Sequence, residues 1–171
     1  MNPVLLKPTS EIGSQVVVLG NVRENTTAVD YHSKKESLFD TAAGSLDRLR
    51  RSYDLIVMEG AGSCAEVNLM DHDVVNLRMA EHAEAPVILV ADIHRGGVFA
   101  QIVGTLACLS PAQQELFKGF IINRFRGDLR LFESGCSWIE QKTGKRVLGV
   151  LPWYDHINIE PEDSVVIEQR K

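Results

Sequence analysis

The chain has 171 residues, enough for one compact domain with its own hydrophobic core and too few for two domains of ordinary size. Its 18 Lys and Arg residues against 23 Asp and Glu residues give a net charge of −5, which does not indicate a nucleic-acid partner. The three cysteines form no CxxC pair, so the sequence indicates neither a disulfide framework nor a zinc site.

The apolar runs are far too short to span a bilayer, and the residues after Met1 lack the pattern of a secretory signal. We therefore expect a cytoplasmic protein without a membrane partner. Five apolar segments predict β-strands, and they are continuously apolar, which is typical of parallel strands covered on both faces. The predicted strands are residues 15–19, 55–58, 87–91, 120–122 and 147–150.

Helical patterns separate and follow these strands, so the order of elements predicts an α/β fold. Residues 36–51 have apolar side chains at helical spacing, and residues 98–109 form a more apolar helix. Ser110, followed by a proline and then by Gln113, has the pattern of a capping box for a third helix. A fourth helix is expected over residues 133–143.

Ligands of open parallel sheets bind beyond the carboxyl ends of the strands, so the loops there are candidate sites. Glu59 precedes a glycine-containing stretch, residues 60–63. A carboxylate at a strand end can hold Mg²⁺, and glycine lets the backbone approach a phosphate. A tight turn with a solvated Glu59 explains the same residues equally well.

The loop over residues 92–97 places an acid, a base and exposed amides at the start of a helix, where anions bind. The alternative is that Asp92 caps the turn while Arg95 is solvated. The loop over residues 123–128 has two arginines flanking an aromatic residue, which suits phosphates or carboxylates. The aromatic residues after Pro152 predict either a wall for base stacking or the end of the core.

No stretch of the sequence matches GxxxxGK[ST], the loop that wraps nucleotide phosphates. We therefore expect an incomplete nucleotide site. Cys136 lacks the preceding strand and the following glycine of a glutaminase elbow, so we do not expect it to be a nucleophile.

Taken in order, the loops resemble those of the cobyric acid synthase family over nearly the whole chain. The family usually has an aspartate where this chain has His94, which leaves Asp92 as the single acid of that segment. The segments that carry the resemblance are MNPVLLKP (1–8), SQVV (14–17), EGAGS (59–63), AEVNL (65–69), DIHRGGVFA (92–100), GFIINRFRGD (119–128) and LGVLP (148–152).

That family is similar in fold to dethiobiotin synthetase. The resemblance therefore implies a doubly wound, mostly parallel, P-loop-NTPase-like sheet that lacks its first P-loop unit. We expect a partial amidoligase domain over residues 1–154 and an exit segment over residues 155–171 that leads toward a glutaminase domain. The strand edge exposed by a missing unit would also allow a homo-oligomer.

The implied activity is ATP-dependent amidation of the b, d, e and g side-chain carboxylates of adenosylcobyrinic acid a,c-diamide, in cobalamin biosynthesis, with ammonia from glutamine. The implied cofactors are ATP and Mg²⁺, and the implied partners are the corrinoid substrate and the glutaminase domain of the same full-length chain. The chain alone is expected to be inactive. Alternatives are a related cobyrinic acid a,c-diamide synthase, a dethiobiotin-type enzyme, or a nucleotide-binding or regulatory module without catalysis.

The resemblance also implies roles for single residues. Glu59 matches the magnesium-binding acid, Asp92 and Arg95 match residues of an active-site loop, and Asn123 matches a contact to adenine. The catalytic set is Glu59, Asp92 and Arg95, and the cofactor-binding set is Gly60, Ala61, Gly62, Ser63, Gly96, Gly97, Asn123 and Pro152.

Overall fold

The computed structural model describes residues 2–8, 13–60, 62–68, 70, 73 and 75–156. Most of the predicted exit segment, and Ala61 of the predicted cofactor-binding set, lie outside these residues. None of the described helices has the length and apolar character needed to cross a membrane. The chain divides into two compact units, Met1–Ala61 with Asp71–Met79 and Asn158–Lys171, and Gly62–Met70 with Ala80–Ile157.

The first unit contains an antiparallel three-stranded sheet and a long helix. Val16 and Val18 pack with Leu38 of the helix to form a buried cluster, and Val4 lies against it. The elements are β1 (Val4–Pro8), β2 (Gly13–Val18), β3 (Asn21–Thr27) and α1 (Ala28–Arg50), with β2 in the centre of the sheet.

The strand predicted at residues 15–19 is present as β2, but the prediction of parallel pairing is wrong. β2 and β3 are joined by Leu19 and Gly20 alone, which both have positive φ, at 50° and 81°. A two-residue connection of this kind closes a hairpin, whereas a parallel pair needs a crossover of a dozen residues or more. The short connection therefore decides the direction of pairing.

The strand predicted at residues 55–58 is also wrong, because these residues are described and belong to no strand. Leu55 and Val57 are 80% and 86% exposed. An apolar segment becomes a strand only when a neighbour pairs with its backbone groups and another layer covers its side chains. The described part of the chain supplies neither to this segment.

The second unit is the α/β part of the chain, and its sheet is parallel, as predicted. The sheet order is β4, β5, β6, with β5 in the centre. Helices make both crossovers, as parallel pairing requires. The elements are α2 (Leu77–Ala83), which spans the boundary between the units, β4 (Val87–Asp92), α3 (Val98–Ala107), α4 (Pro111–Leu116), β5 (Phe117–Phe125), a 3-10 helix (Leu129–Phe132), α5 (Glu133–Thr143) and β6 (Arg146–Pro152).

The predicted helix boundaries of this unit are confirmed where local signals define them. At the start of α4, the Ser110 hydroxyl accepts a hydrogen bond from the Gln113 amide at 3.3 Å. The Gln113 side chain accepts one from the Ser110 amide at 3.1 Å, which completes the capping box. α5 covers the predicted residues and ends at Gly144.

The core of the second unit lies on one face of its sheet. Ile102 of α3, Ile139 of α5 and Ile122 of β5 are fully buried. Ile88 and Val90 of β4 belong to the opposite face, because side chains alternate along a strand, and they are about half exposed.

Candidate functional site

The carboxyl ends of β4 and β5 bring together two of the predicted site residues. Asp92 and Asn123 are register partners at the last pair of this ladder. The amide of Ile93 donates a hydrogen bond to the Asn123 carbonyl at 3.1 Å, which holds the two strand ends side by side. This edge of a parallel sheet is where ligands of α/β proteins bind.

Arg124 links these two residues; it is one of the two arginines noted in the loop over residues 123–128, but it was not among the predicted site residues. Its guanidinium forms an ion pair with Asp92 Oδ2 at 2.8 Å, and its backbone amide donates to Asn123 Oδ1 at 2.9 Å. The φ of Arg124 is 64°, a left-handed conformation that is unfavourable for a residue with a long side chain. Strain of this kind persists where surrounding contacts hold it, often at functional sites.

Asp92 is held by protein donors on both carboxylate oxygens. Its Oδ1 accepts a hydrogen bond from the His94 amide at 2.7 Å, and its Oδ2 accepts one from the Arg124 guanidinium at 2.8 Å. The His94 hydrogen bond chiefly, with help from the Arg124 guanidinium, lowers the pKa of Asp92. These contacts match the alternative in which Asp92 caps its turn, and its catalytic role stays a prediction.

The predicted loop after Asp92 leads into α3 through two consecutive glycines with left-handed backbone. The φ angles of Gly96 and Gly97 are 78° and 76°, which only glycine adopts without strain. Gly97 is the N-cap of α3 and provides no side-chain cap. The first amides of α3 are therefore donors that an anion could satisfy. Arg95, two residues before Gly97 in the sequence, is exposed.

Trp153 connects the end of β6 to the same edge. Pro152 is the register partner of Phe125, and the Trp153 amide donates to the Phe125 carbonyl at 2.7 Å. The guanidinium carbons of Arg124 and Arg126 lie 4.5 and 3.8 Å from the centroid of the indole ring. The half-buried ring is thus neither a bare stacking wall nor part of the core, because cations already contact it.

The predicted Glu59 loop is divided between the two units. Glu59 and Gly60 belong to the first unit, whereas Gly62 and Ser63 belong to the second. Glu59 and Ser63 are exposed, and the Ser63 hydroxyl accepts a hydrogen bond from the Ala65 amide at 3.1 Å. The two halves of this loop therefore belong to different compact units.

Gly60 packs so closely on Asn76 that a side chain at position 60 would force the Asn76 side chain to move. A Cβ atom at position 60 would lie 2.1 Å from Asn76 Oδ1. The backbone amide of Asn76 donates to the Asp73 carboxylate at 3.1 Å, which holds the backbone at this position. The glycine that follows Glu59 is therefore favoured by packing, whether or not a phosphate approaches it.

We expect Gly60→Ala to lower the free energy of unfolding by about 1 to 3 kcal/mol, because the added methyl group must displace Asn76. The cost should fall below about half of this value in an Asn76→Ala background, where only the ordinary backbone contact remains. Gly104→Ala in α3 is the matched control, since a Cβ atom there meets nothing within 4 Å. Urea unfolding of the four variants measures these differences, and an equal loss in both backgrounds would contradict the packing explanation.

Glu59 is compatible with a magnesium site that is shared with a nucleotide. In the described residues there is no group of three or more His, Cys, Asp or Glu side chains that could hold a metal ion. Mg²⁺ commonly keeps several waters and takes only one or two carboxylates together with substrate phosphates. An exposed carboxylate such as Glu59 therefore suits Mg²⁺ carried by a nucleotide.

Comparison with known proteins confirms the resemblance described from the loops. Cobyric acid synthase from Vibrio vulnificus (strain YJ016) is 52% identical over 169 residues, which are 99% of this chain and 35% of that protein. Cobyric acid synthase from Vibrio parahaemolyticus serotype O3:K6 (strain RIMD 2210633) is 50% identical over the same shares of the two chains. The chain thus spans about a third of the length of these curated relatives.

No solved structure gave a significant match to the chain. A family model described as an AAA domain matches residues 14–160, which include every described loop of the candidate site. This match covers most of the 171 residues. The chain belongs to the AAA domain family.

Proposed function

We propose that this chain supplies nucleotide-binding and substrate-binding elements of an ATP-dependent amidoligase of the cobyric acid synthase type. Its reaction would be amidation of the b, d, e and g carboxylates of adenosylcobyrinic acid a,c-diamide with ammonia from glutamine. The observation that carries the proposal is the 52% identity to cobyric acid synthase over 99% of the chain, since it includes the loops at the carboxyl edge of the parallel sheet.

ATP would supply the activation that amide formation needs, because ammonia does not displace oxygen from an ionised carboxylate. Residues of this chain would bind and orient the reactants. The uncapped amides at the start of α3, with the exposed Arg95 two residues before the N-cap in the sequence, suit phosphate oxygens. Asn123 would contact the base, and Glu59 would hold Mg²⁺ together with phosphate and water.

The partners proposed for the reaction are the corrinoid substrate and a glutaminase domain in the same full-length chain, approached by residues 155–171. Association with a second copy of the chain is compatible with the exposed β4 side chains Ile88 and Val90. The proposed compartment is the cytoplasm, because the substrates are soluble biosynthetic intermediates.

A chimaera tests the proposed function directly. This chain replaces the matched third of the Vibrio vulnificus cobyric acid synthase, and product formation is measured with ATP, Mg²⁺, ammonium and the diamide substrate. We expect amidation within about tenfold of the parent enzyme, because about half of the residues are already identical. A folded chimaera that binds ATP and forms no product would favour a nucleotide-binding module without catalysis.

We expect Asn123→Ala in this chimaera to raise the KM for ATP by about two- to tenfold and to leave the KM for GTP unchanged, as the loss of a base-specific hydrogen bond does. Asn123 Oδ1 accepts the Arg124 amide through one of its two lone pairs, so the side chain still offers an acceptor and its NH₂ donor to the edge of adenine. Asn123→Asp removes this donor at nearly constant size and adds a negative charge, so it should weaken ATP binding at least as much as the alanine variant does. An unchanged ratio of ATP to GTP preference in steady-state kinetics would remove the base-recognition role.

A further inference from the structure

Arg126 is a positive charge at the carboxyl edge of the parallel sheet to which the proposed chemistry gives no role. It directly follows Phe125, the last residue of β5. Phe125 is buried, and its ring centroid lies 5.1 Å from that of Phe132. Because Phe125 is anchored in the core, Arg126 is held at this edge, while its own side chain is exposed.

The neighbouring arginines are already matched by carboxylates. Arg124 pairs with Asp92 at 2.8 Å, and Arg130 pairs with Asp128 at 2.5 Å. Within the described ranges, no ion pair of this kind involves Arg126. Its charge is therefore balanced by no carboxylate among these residues.

Arg126 nevertheless has a defined contact, because its guanidinium carbon lies 3.8 Å from the centroid of the Trp153 indole. The indole is fixed in turn by the hydrogen bond from the Trp153 amide to Phe125 and by one from its ring nitrogen to Asp155. Stacking uses the flat face of a guanidinium and leaves its N–H donors, which lie in the plane, able to bind an anion. Such pre-ordering reduces the entropy that binding would otherwise cost.

We propose that Arg126, stacked on Trp153, binds an oxyanion at the carboxyl edge of β5. Carboxylates and phosphates share the required chemistry, since both accept two parallel hydrogen bonds from one guanidinium. This proposal rests on the proposed function in one respect only, which is the identity of the molecule that carries the oxyanion. In that reaction ATP carries phosphates and the acid substrate carries carboxylates, so Arg126 would orient one of the two reactants.

Isothermal titration of the 171-residue chain with inorganic tripolyphosphate and, separately, with tricarballylate tests this site. We expect the parent chain to bind at least one probe. Arg126→Gln should lower the affinity for that probe by about tenfold or more, as loss of a charge-assisted hydrogen bond does. Arg126→Lys keeps the charge without the planar fork and should fall between the two. Arg130→Gln makes the same charge change at a paired arginine and should stay within about twofold of the parent.

Loss confined to tripolyphosphate assigns a phosphate to the site, and loss confined to tricarballylate assigns a carboxylate; both results support the proposal. Equal losses in Arg126→Gln and Arg130→Gln, no loss in Arg126→Gln, or no binding of either probe by the parent chain would each overturn it. The Nε resonance of Arg126 in the parent chain should also shift on titration, which removes any dependence on folding of a variant. Since no probe is amidated, an inactive chimaera would leave this result unaffected.

Discussion

Replacing Glu59 by glutamine should lower the rate of amidation by the chimaera by about a hundredfold or more, while the fold is retained. The substitution keeps the size of the side chain and removes the charge that is proposed to hold Mg²⁺. Deleting one group that stabilises developing charge in a site commonly costs this much in rate. The measurement is initial rate against Mg²⁺ concentration at saturating ATP, and the concentration of Mg²⁺ needed for half-maximal rate should rise as well.

Glu81→Gln is the matched control for this prediction, because Glu81 is an exposed acid on α2 and is not part of the proposed site. Its rate should equal that of the unchanged chimaera. Circular dichroism and the unfolding midpoint show whether the Glu59 variant keeps the fold. A Glu59→Gln rate within a few-fold of the control would remove Glu59 as a metal ligand and would favour the tight-turn explanation of this loop.

The 171-residue chain alone should form less than about 1% of the amide product that the chimaera forms under the same conditions. None of its residues forms a GxxxxGK[ST] loop, and phosphoryl transfer depends on backbone amides, a lysine and Mg²⁺ that act together. The effects of such groups are strongly non-additive, so a site that holds some of them retains little of the rate.

Both proteins are assayed with ammonium in place of glutamine, so that the result does not depend on a glutaminase. Binding of a fluorescent ATP analogue to each protein separates weak binding from slow chemistry. Comparable product formation by the two would show that the chain is sufficient for catalysis. The expectation of an incomplete nucleotide site would then be wrong.

The parts of the fold that were correctly predicted are those defined by residues near one another in the sequence. The capping box of Ser110 and Gln113 involves positions three residues apart, and Gly144 ends α5 immediately after its last residue. The three strands β4, β5 and β6 were predicted because each is a short apolar run bounded by turn residues. Signals of this kind do not depend on the rest of the structure.

The predictions that failed concern pairing between strands. Residues 15–19 are as apolar as a buried parallel strand, yet the turn at Leu19 and Gly20 makes β2 antiparallel. Residues 55–58 have the pattern of a strand but belong to no sheet, and Leu55 and Val57 are largely exposed. Apolar periodicity shows which side chains a segment could bury. A strand forms only when a second strand pairs with its backbone, and periodicity does not identify that second strand.

The sequence by itself determined the family, the α/β character of the second unit and the loops in which polar residues collect. Only the tertiary structure decided how those loops meet, since Asp92, Arg124 and Trp153 lie far apart in the chain and become neighbours through the register of three parallel strands. The same register stacks Arg126 on Trp153 and pairs Arg124 with Asp92. Local composition cannot distinguish these two arginines, because their difference depends on which distant side chain each one contacts.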